Sequence, residues 1–202
     1  MAYNHKAIHV DTFRCVGCHA CEAACKVEQN IPPGPKWIEV IEVEKMVGAE
    51  YKMFWKPMAC FHCGEPDCLP VCPTKAISKR EEDGIVLVSK DLCIGCMECF
   101  RACPFGAPQL GFDGKMEKCN LCVHKTAGGG VPACVSTCPS EAMFFGTTQE
   151  LSSLMRKKHS VRSISVNGAG NPSVGSASAA KAAEGRTQVV RLSNKAGALS
   201  NH

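Results

Sequence analysis

Sixteen cysteines in 202 residues fall into four runs, and their spacing leaves few folds open to the chain. The plainest run is the third, Cys93-Ile-Gly-Cys96-Met-Glu-Cys99-Phe-Arg-Ala-Cys103-Pro104. The first has Cys15, Cys18, Cys21 and Cys25, with Lys26 where a proline stands in the third. The second has Cys60, Cys63, Cys68 and Cys72, a lengthened triad closed by Pro73. In the fourth, residues 123–133 separate Cys119 and Cys122 from Cys134, Cys138 and Pro139. Three thiolates on one tight loop reach three irons of a single cubane, while the fourth, a turn further on, points at another centre. Structural zinc asks instead for two separated C-x2-C pairs closing one tetrahedron. A disulfide framework would belong to a secreted chain, and its cysteines would not need this spacing.

The hydrophobic share is 45%, but it includes the 16 Cys. Without them the supply of core residues is thin for this length, so the metal centres are expected to be structural as well, and the metal-free chain not to fold properly. The formal charge is +4. Four [4Fe-4S] clusters at about −2 each would bring the loaded protein to roughly −4, so the basic excess reads as compensation for cluster charge rather than a nucleic-acid surface. No apolar run is long enough for a membrane span.

Along the chain, residues 6–10 read as a strand, to be paired with a closing strand over 142–146. A helix is expected to run on from Cys21 to Gln29, past Cys25. Residues 37–43 and 51–55 read as a hairpin, with Trp37 and Trp55 as its hydrophobic cover. Residues 76–78 and 84–88 flank a charged turn. Asp113-Gly114 gives a two-residue hairpin signal between 109–112 and 115–117. Gly128-Gly129-Gly130 marks the fourth run's excursion as flexible. Thr147 and Glu150 make a capping box for a helix over about 149–158. Residues 167–185 have linker composition, and Val189 to Leu192 is the one sticky patch of the tail.

The spacing resembles that of bacterial iron–sulfur ferredoxins, where the fourth Cys of each run ligates the other run's cluster. Applied here, the adjacent second and third runs give Cys60, Cys63, Cys68 with Cys103, and Cys93, Cys96, Cys99 with Cys72. The first and fourth give Cys15, Cys18, Cys21 with Cys138, and Cys119, Cys122, Cys134 with Cys25. No cysteine is left over. The fold class that follows is α+β, two interleaved bacterial-ferredoxin-like modules of short hairpins and short helices with a low-complexity C-terminal tail. The outer module takes 1–30 and 110–158, the inner one 59–109, a hairpin insertion 31–58, and a flexible or partner-bound tail 159–202.

The order of runs, the lengthened second triad, the excursion in the fourth and the missing proline after Cys25 resemble one family in particular. It is the four-cluster iron–sulfur subunit of molybdopterin oxidoreductases such as dimethyl sulfoxide, polysulfide and thiosulfate reductases, and the likeness covers roughly residues 6–158. The subunits of formate dehydrogenases and hydrogenase complexes share the wiring. Where the nitrate reductase branch replaces the equivalent of Cys96 by an aromatic residue, this chain keeps Cys, which implies four [4Fe-4S] clusters. The resemblance implies a linear relay from the cluster of Cys15, through those of Cys25 and Cys60, to that of Cys93. The partners it implies are a Mo or W molybdopterin catalytic subunit at one end and a membrane anchor or other redox partner at the other.

Arg14, Lys26, Arg101, Lys118 and Lys125 flank the runs, either as solvated charges or as cations that raise a cluster's potential. His19 and His62 sit in the loops without being needed as ligands. Phe13, Met97, Phe100 and Phe105 are expected to keep water off the clusters. No nucleophile motif, phosphate loop or dinucleotide fingerprint is present. The expectation is a non-catalytic electron-transfer subunit, against the alternative of an interaction module stapled by structural clusters. The expected location is a membrane-associated complex, on the periplasmic side as a folded passenger of a partner's signal, or otherwise the cytoplasm.

Overall fold

The computed structural model describes residues 4–167. Its strands pair only in twos, giving four small antiparallel sheets linked by short helices. Strand β1 (Lys6–Val10) pairs with β8 (Met143–Thr147), in a register from Lys6 opposite Thr147 to Val10 opposite Met143. The two ends of the described chain thus close over the middle. Inside lie the hairpins β4–β5 (Ile77–Lys79 with Val86–Val88) and β6–β7 (Gln109–Leu110 with Met116–Glu117).

Helix α1 (Ala20–Gln29) carries Cys21 and Cys25 one turn apart on its buried side. It ends at Asn30, whose left-handed backbone returns its N–H to the Lys26 and Val27 carbonyls. Asparagine tolerates that conformation, and Pro32 and Pro33 then prevent any continuation. Strands β2 (Ile38–Val47) and β3 (Glu50–Ala59) form a ribbon longer than the sequence suggests, joined by Gly48 and Ala49. Gly48, at φ 66°, supplies the left-handed first position of a tight hairpin turn. Pro57 is tolerated because both strands of a two-stranded ribbon are edges. The ribbon's base enters the core through Ile38 and Val40, with Trp37 and Trp55 packed against the same residues.

Three small clusters replace a single large core, and each contains cysteines. One joins Cys21, Cys25 and Cys134 to Ile31, Ile38, Val135 and Met143. Another sets Cys99 with Ile77, Val86 and Met116. The third sets Cys119 with Ile85 and Leu121. Such small apolar groups bury little surface, so the thiols' environment and the fold's stability rest on the same residues.

Several expectations need correction. The excursion in the fourth run begins and ends in regular structure that the sequence did not suggest, α3 (Val123–Thr126) and, after Pro132, α4 (Ala133–Ser136). The N–H groups of Gly128 and Gly130 both close on the Lys125 carbonyl, so the glycines terminate a helix. The turn at Asp113-Gly114 spans three residues. Gly114 donates to Gly111, Gly111 donates to Lys115, and only Gly114 is left-handed, which is a type I turn with a bulge. Helix α5 (Thr148–Asn167) outruns the expected end at 158. The capping box forms, with Glu150 Oε2 accepting from the Thr147 N–H at 2.7 Å and the Glu150 N–H reaching Thr147 Oγ1 at 3.3 Å. The linker composition from 168 onward and the patch at Val189 to Leu192 lie outside the described residues.

Candidate metal centres

The four runs share a backbone device. The residue before each second cysteine is left-handed: Gly17 at φ 66°, His62 at 47°, Gly95 at 69° and Leu121 at 54°. A left-handed residue in a turn makes successive N–H groups converge, which builds a concavity for an anionic cluster. Glycine is demanded twice over at two of these positions. A Cβ on Gly17 would overlap the Trp55 indole, and one on Gly95 would overlap the Gly114 carbonyl oxygen. His62 and Leu121 take the same twist with full side chains, each only 1% exposed, so burial offsets a conformational cost of about 1–2 kcal/mol.

A second device follows the last cysteine of three runs. Lys75, Gly106 and Glu141 are left-handed, and their N–H groups return to the Cys72, Cys103 and Cys138 carbonyls at 3.2, 3.3 and 3.2 Å. The next N–H then turns onto sulfur, from Ala76 to Cys72 Sγ at 3.2 Å and from Ala142 to Cys138 Sγ at 3.3 Å. Proline at the second position fixes the turn. In the first run, where Lys26 replaces it, α1 runs on instead.

None of the sixteen cysteines is in a disulfide. Cys60, Cys63, Cys68 and Cys103 line one cavity, together with Phe61, Phe105, Val86 and Lys118. Cys72, Cys93, Cys96 and Cys99 line a second, with Ile77, Val88 and Met116. Cys15, Cys18, Cys21 and Cys138 line a third, with Val40, Pro57 and Met143. The remaining four, Cys25, Cys119, Cys122 and Cys134, are all buried. Burial first, then Cys119, Cys122 and Cys21, pushes the Cys25 thiol up to about 12. Burial drives Cys134 well upward too, aided by Cys119, Cys25 and Cys122. Among the described residues no three His, Cys, Asp or Glu side chains are set to hold a single ion. Four thiols around an apolar void fit a cubane's thiolate set better than one tetrahedral ion.

The fit extends to the surroundings of sulfur. Cys93 Sγ accepts from the Met116 N–H at 3.3 Å, Cys119 Sγ from Leu121 at 3.4 Å, and Cys60 Sγ from His62 at 3.4 Å. Gln29, at the end of α1, donates to Cys122 Sγ at 3.3 Å and is held by Asn120. Sequence reading missed Gln29 because its partner lies on the far run. Burial pushes Cys21 and Cys68 up to about 11 and Cys119 up to about 12. Burial opposes ionisation of Cys72 as well, but the Thr74 hydroxyl and nearby N–H groups outweigh it and lower that thiol.

The flanking cations separate into two kinds. Arg14 pairs with Glu141 at 3.1 Å and Arg101 with Glu98 at 2.5 Å, while Lys125 and His124 share Glu28. Lys26 donates to the Pro32 and Pro35 carbonyls at 2.9 Å each. Lys118 alone of the five is buried, at 4% exposure. His19 bonds Glu22 at 3.2 Å. His62 accepts the Val86 N–H on Nδ1 at 2.9 Å, and burial pushes its pKa down to about 2, so it is neutral. Of the side chains expected to exclude water, Phe105 lines a cavity and packs against Phe61 with its ring tilted, 4.6 Å between ring centroids, and Met97 packs beside Cys99. Phe13 is 69% exposed and Phe100 is 45% exposed, so neither is buried over a thiol group.

Two family models, each described as a 4Fe-4S dicluster domain, match residues 14–76 and 51–148. A chain of the anaerobic dimethyl sulfoxide reductase of Escherichia coli (strain K12) is 40% identical over 159 residues, spanning 74% of this protein and 75% of its own length. The thiosulfate reductase electron transfer subunit of Salmonella typhi is 42% identical over 144 residues, 69% of this protein and 74% of its own length. A sulfite dehydrogenase subunit of Allochromatium vinosum is 38% identical over 168 residues, 71% of this protein and 69% of its own length. With dicluster domains across the cysteine-rich body and relatives of this kind along most of it, the chain belongs to the family of ferredoxin-like iron–sulfur subunits of dimethyl sulfoxide and thiosulfate reductase type.

Proposed function

We propose that this chain holds four [4Fe-4S] clusters in a row and carries electrons between a molybdopterin-type catalytic subunit and a membrane quinone-linked partner. The observation that carries this reading is the gathering of twelve cysteines by fours around three cavities, with Cys25, Cys119, Cys122 and Cys134 buried beside one another. The ligand sets are Cys15, Cys18, Cys21 and Cys138; Cys25, Cys119, Cys122 and Cys134; Cys60, Cys63, Cys68 and Cys103; and Cys72, Cys93, Cys96 and Cys99. A cubane held by four thiolates exchanges single electrons at a potential set by charge, burial and hydrogen bonds to sulfur.

The chain's own residues hold, order and insulate these sites. Each C-x3-C step serves two of them, since residues four apart share a helix face one turn apart. Cys21 and Cys25 lie on α1 in this way, and Cys134 stands on α4 with Cys138 just beyond it. Cys68 and Cys72 are joined by a turn, and Cys99 stands on a short helix, Glu98–Ala102, that ends just before Cys103. Between the second and third sets, Cys60 and Cys119 belong to one apolar cluster. The succession supports a linear order, with the interleaving of an inner module (59–109) inside an outer one (1–30 and 110–158) and the ribbon of 31–58 inserted.

Cys18 and Cys96, from the first and last sets in that order, are exposed. Phe13 and Val16 stand exposed near Cys18, and Leu92 and Ile94 near Cys96, as partner-facing surfaces would require. No helix among the described residues is long and apolar enough to cross a membrane, so attachment falls to a partner. We place the complex at the membrane, on the periplasmic side.

The test is the metal content of anaerobically purified protein. About sixteen iron and sixteen acid-labile sulfide per chain are expected from four cubanes. Stoichiometric zinc, or iron without sulfide, would overturn the reading.

A further inference from the structure

Lys118 is the least expected charge in the molecule. Its side chain is 4% exposed, yet its ammonium pairs with no carboxylate among the described residues. It donates instead to the Val86 carbonyl and to the Cys119 carbonyl, the latter at 3.1 Å. An ammonium in an apolar setting with only neutral acceptors is costly unless negative charge stands close by. The other lysines near the runs meet no such constraint, because Lys26 and Lys125 reach the surface or a carboxylate.

Negative charge is supplied from two sides. Lys118 lines the cavity of Cys60, Cys63, Cys68 and Cys103. It also immediately precedes Cys119, whose own set includes Cys25, Cys122 and Cys134. The carbonyl contacts fix the ammonium between strand β5 and the start of the fourth run.

We infer that Lys118 is the shared countercharge of the second and third clusters, setting both potentials upward as a positioning residue between them. This rests on the four-cluster reading above. A cubane with four thiolates carries about −2 oxidised and about −3 reduced, so a buried cation favours the reduced form of each neighbour. The first and last sets lie beyond this pair and keep their potentials.

The experiment is a redox titration of the iron-loaded full-length chain, followed by electron paramagnetic resonance, with each signal assigned by a Cys→Ser change in one set. Lys118→Met removes charge and donors, Lys118→Gln keeps a donor, and Lys118→Arg keeps the charge. In both neutral variants, the reduced-to-oxidised ratio of the second and third clusters should fall at least tenfold at fixed poise, about 59 mV for one electron. Loss of those two clusters alone would also support the role, and Lys118→Arg should restore both. Unchanged potentials with full iron, changes spread over all four clusters, or an arginine variant that behaves like methionine would overturn it. Iron and sulfide content of the parent protein tests the four-cluster reading separately.

Discussion

Cys99 and Cys103 stand four residues apart at the two ends of one helical turn, yet they line different cavities. Cys99 faces the void of Cys72, Cys93 and Cys96, and Cys103 that of Cys60, Cys63 and Cys68. The turn of α2 (Glu98–Ala102) makes the separation, because Cys103 follows its last residue in extended backbone. A run of four cysteines close in sequence is thereby divided between two sites.

Replacing Cys103 by Ser should therefore damage the cluster of Cys60, Cys63 and Cys68 and spare the one beside it in sequence. Iron content should fall by about one to four per chain, and one spectroscopic signal should change. If the altered signal belongs to the cluster of Cys93, Cys96 and Cys99, the division of ligands is wrong.

Gly95→Ala should be worse tolerated than Gly17→Ala. Both substitutions force a side chain into left-handed backbone, at a cost of about 1–2 kcal/mol. At Gly17 the obstructing group is the Trp55 ring, which can swing aside, whereas at Gly95 it is a backbone oxygen of Gly114. Thermal unfolding of the loaded proteins should rank them parent, Gly17→Ala, Gly95→Ala.

Thr147→Ala should destabilise the chain by about 1 kcal/mol, the ordinary cost of losing a helix cap. The loss removes both the hydroxyl's contact with Glu150 at 2.9 Å and its acceptance of the Glu150 N–H. Denaturant titration would show it as a lower midpoint with full iron retained. An unchanged midpoint would mean that Leu151 and the Lys158–Asp11 ion pair hold α5 without the cap.

Iron uptake should release protons and tighten as pH rises. Burial pushes Cys21, Cys25, Cys68 and Cys119 to about 11, 12, 11 and 12, so these thiols are protonated at neutral pH and must ionise to bind metal. Anaerobic reconstitution in a pH-stat should consume base. Metal removal should abolish the near-ultraviolet circular dichroism, because the thiols sit within the core clusters. Reconstitution without base uptake would contradict the buried-thiol picture.

Truncation after Asn167 should leave iron content intact and weaken assembly with the catalytic partner. Helix α5 is packed against β8 and β1 and stays in the shortened chain. Co-purification of the two subunits measures the effect. Loss of iron on truncation would place the removed residues in the fold instead.

What was legible in the sequence was whatever depends on near neighbours. Cysteine spacing, the capping box at Thr147 and the closure of β1 on β8 are written in short patterns of residue type. The extent of the ribbon was not, because Glu44 to Tyr51 alternates weakly and depends on its partner strand for structure. Left-handed backbone at His62 and Leu121 was hidden, since neither residue favours it and only burial among other runs holds them there. The order of the Gly128 to Gly130 segment was hidden for the converse reason: glycine permits both a helix terminus and a loose loop. Burial of Lys118 had no local sign, for Val86, whose carbonyl its ammonium meets, comes from a separate stretch of chain.

The pairing of Lys6 with Thr147 also fixes an order in time. At roughly 5–20 residues per second, β1 leaves the ribosome on the order of ten seconds before its partner strand exists. Through that interval Cys15, Cys18 and Cys21 are presented without Cys138, while Cys60 to Cys103 emerge together and include every cysteine of the two cavities they line. The interior of the molecule is thus complete before its ends, and the first site in sequence is the last to be sealed.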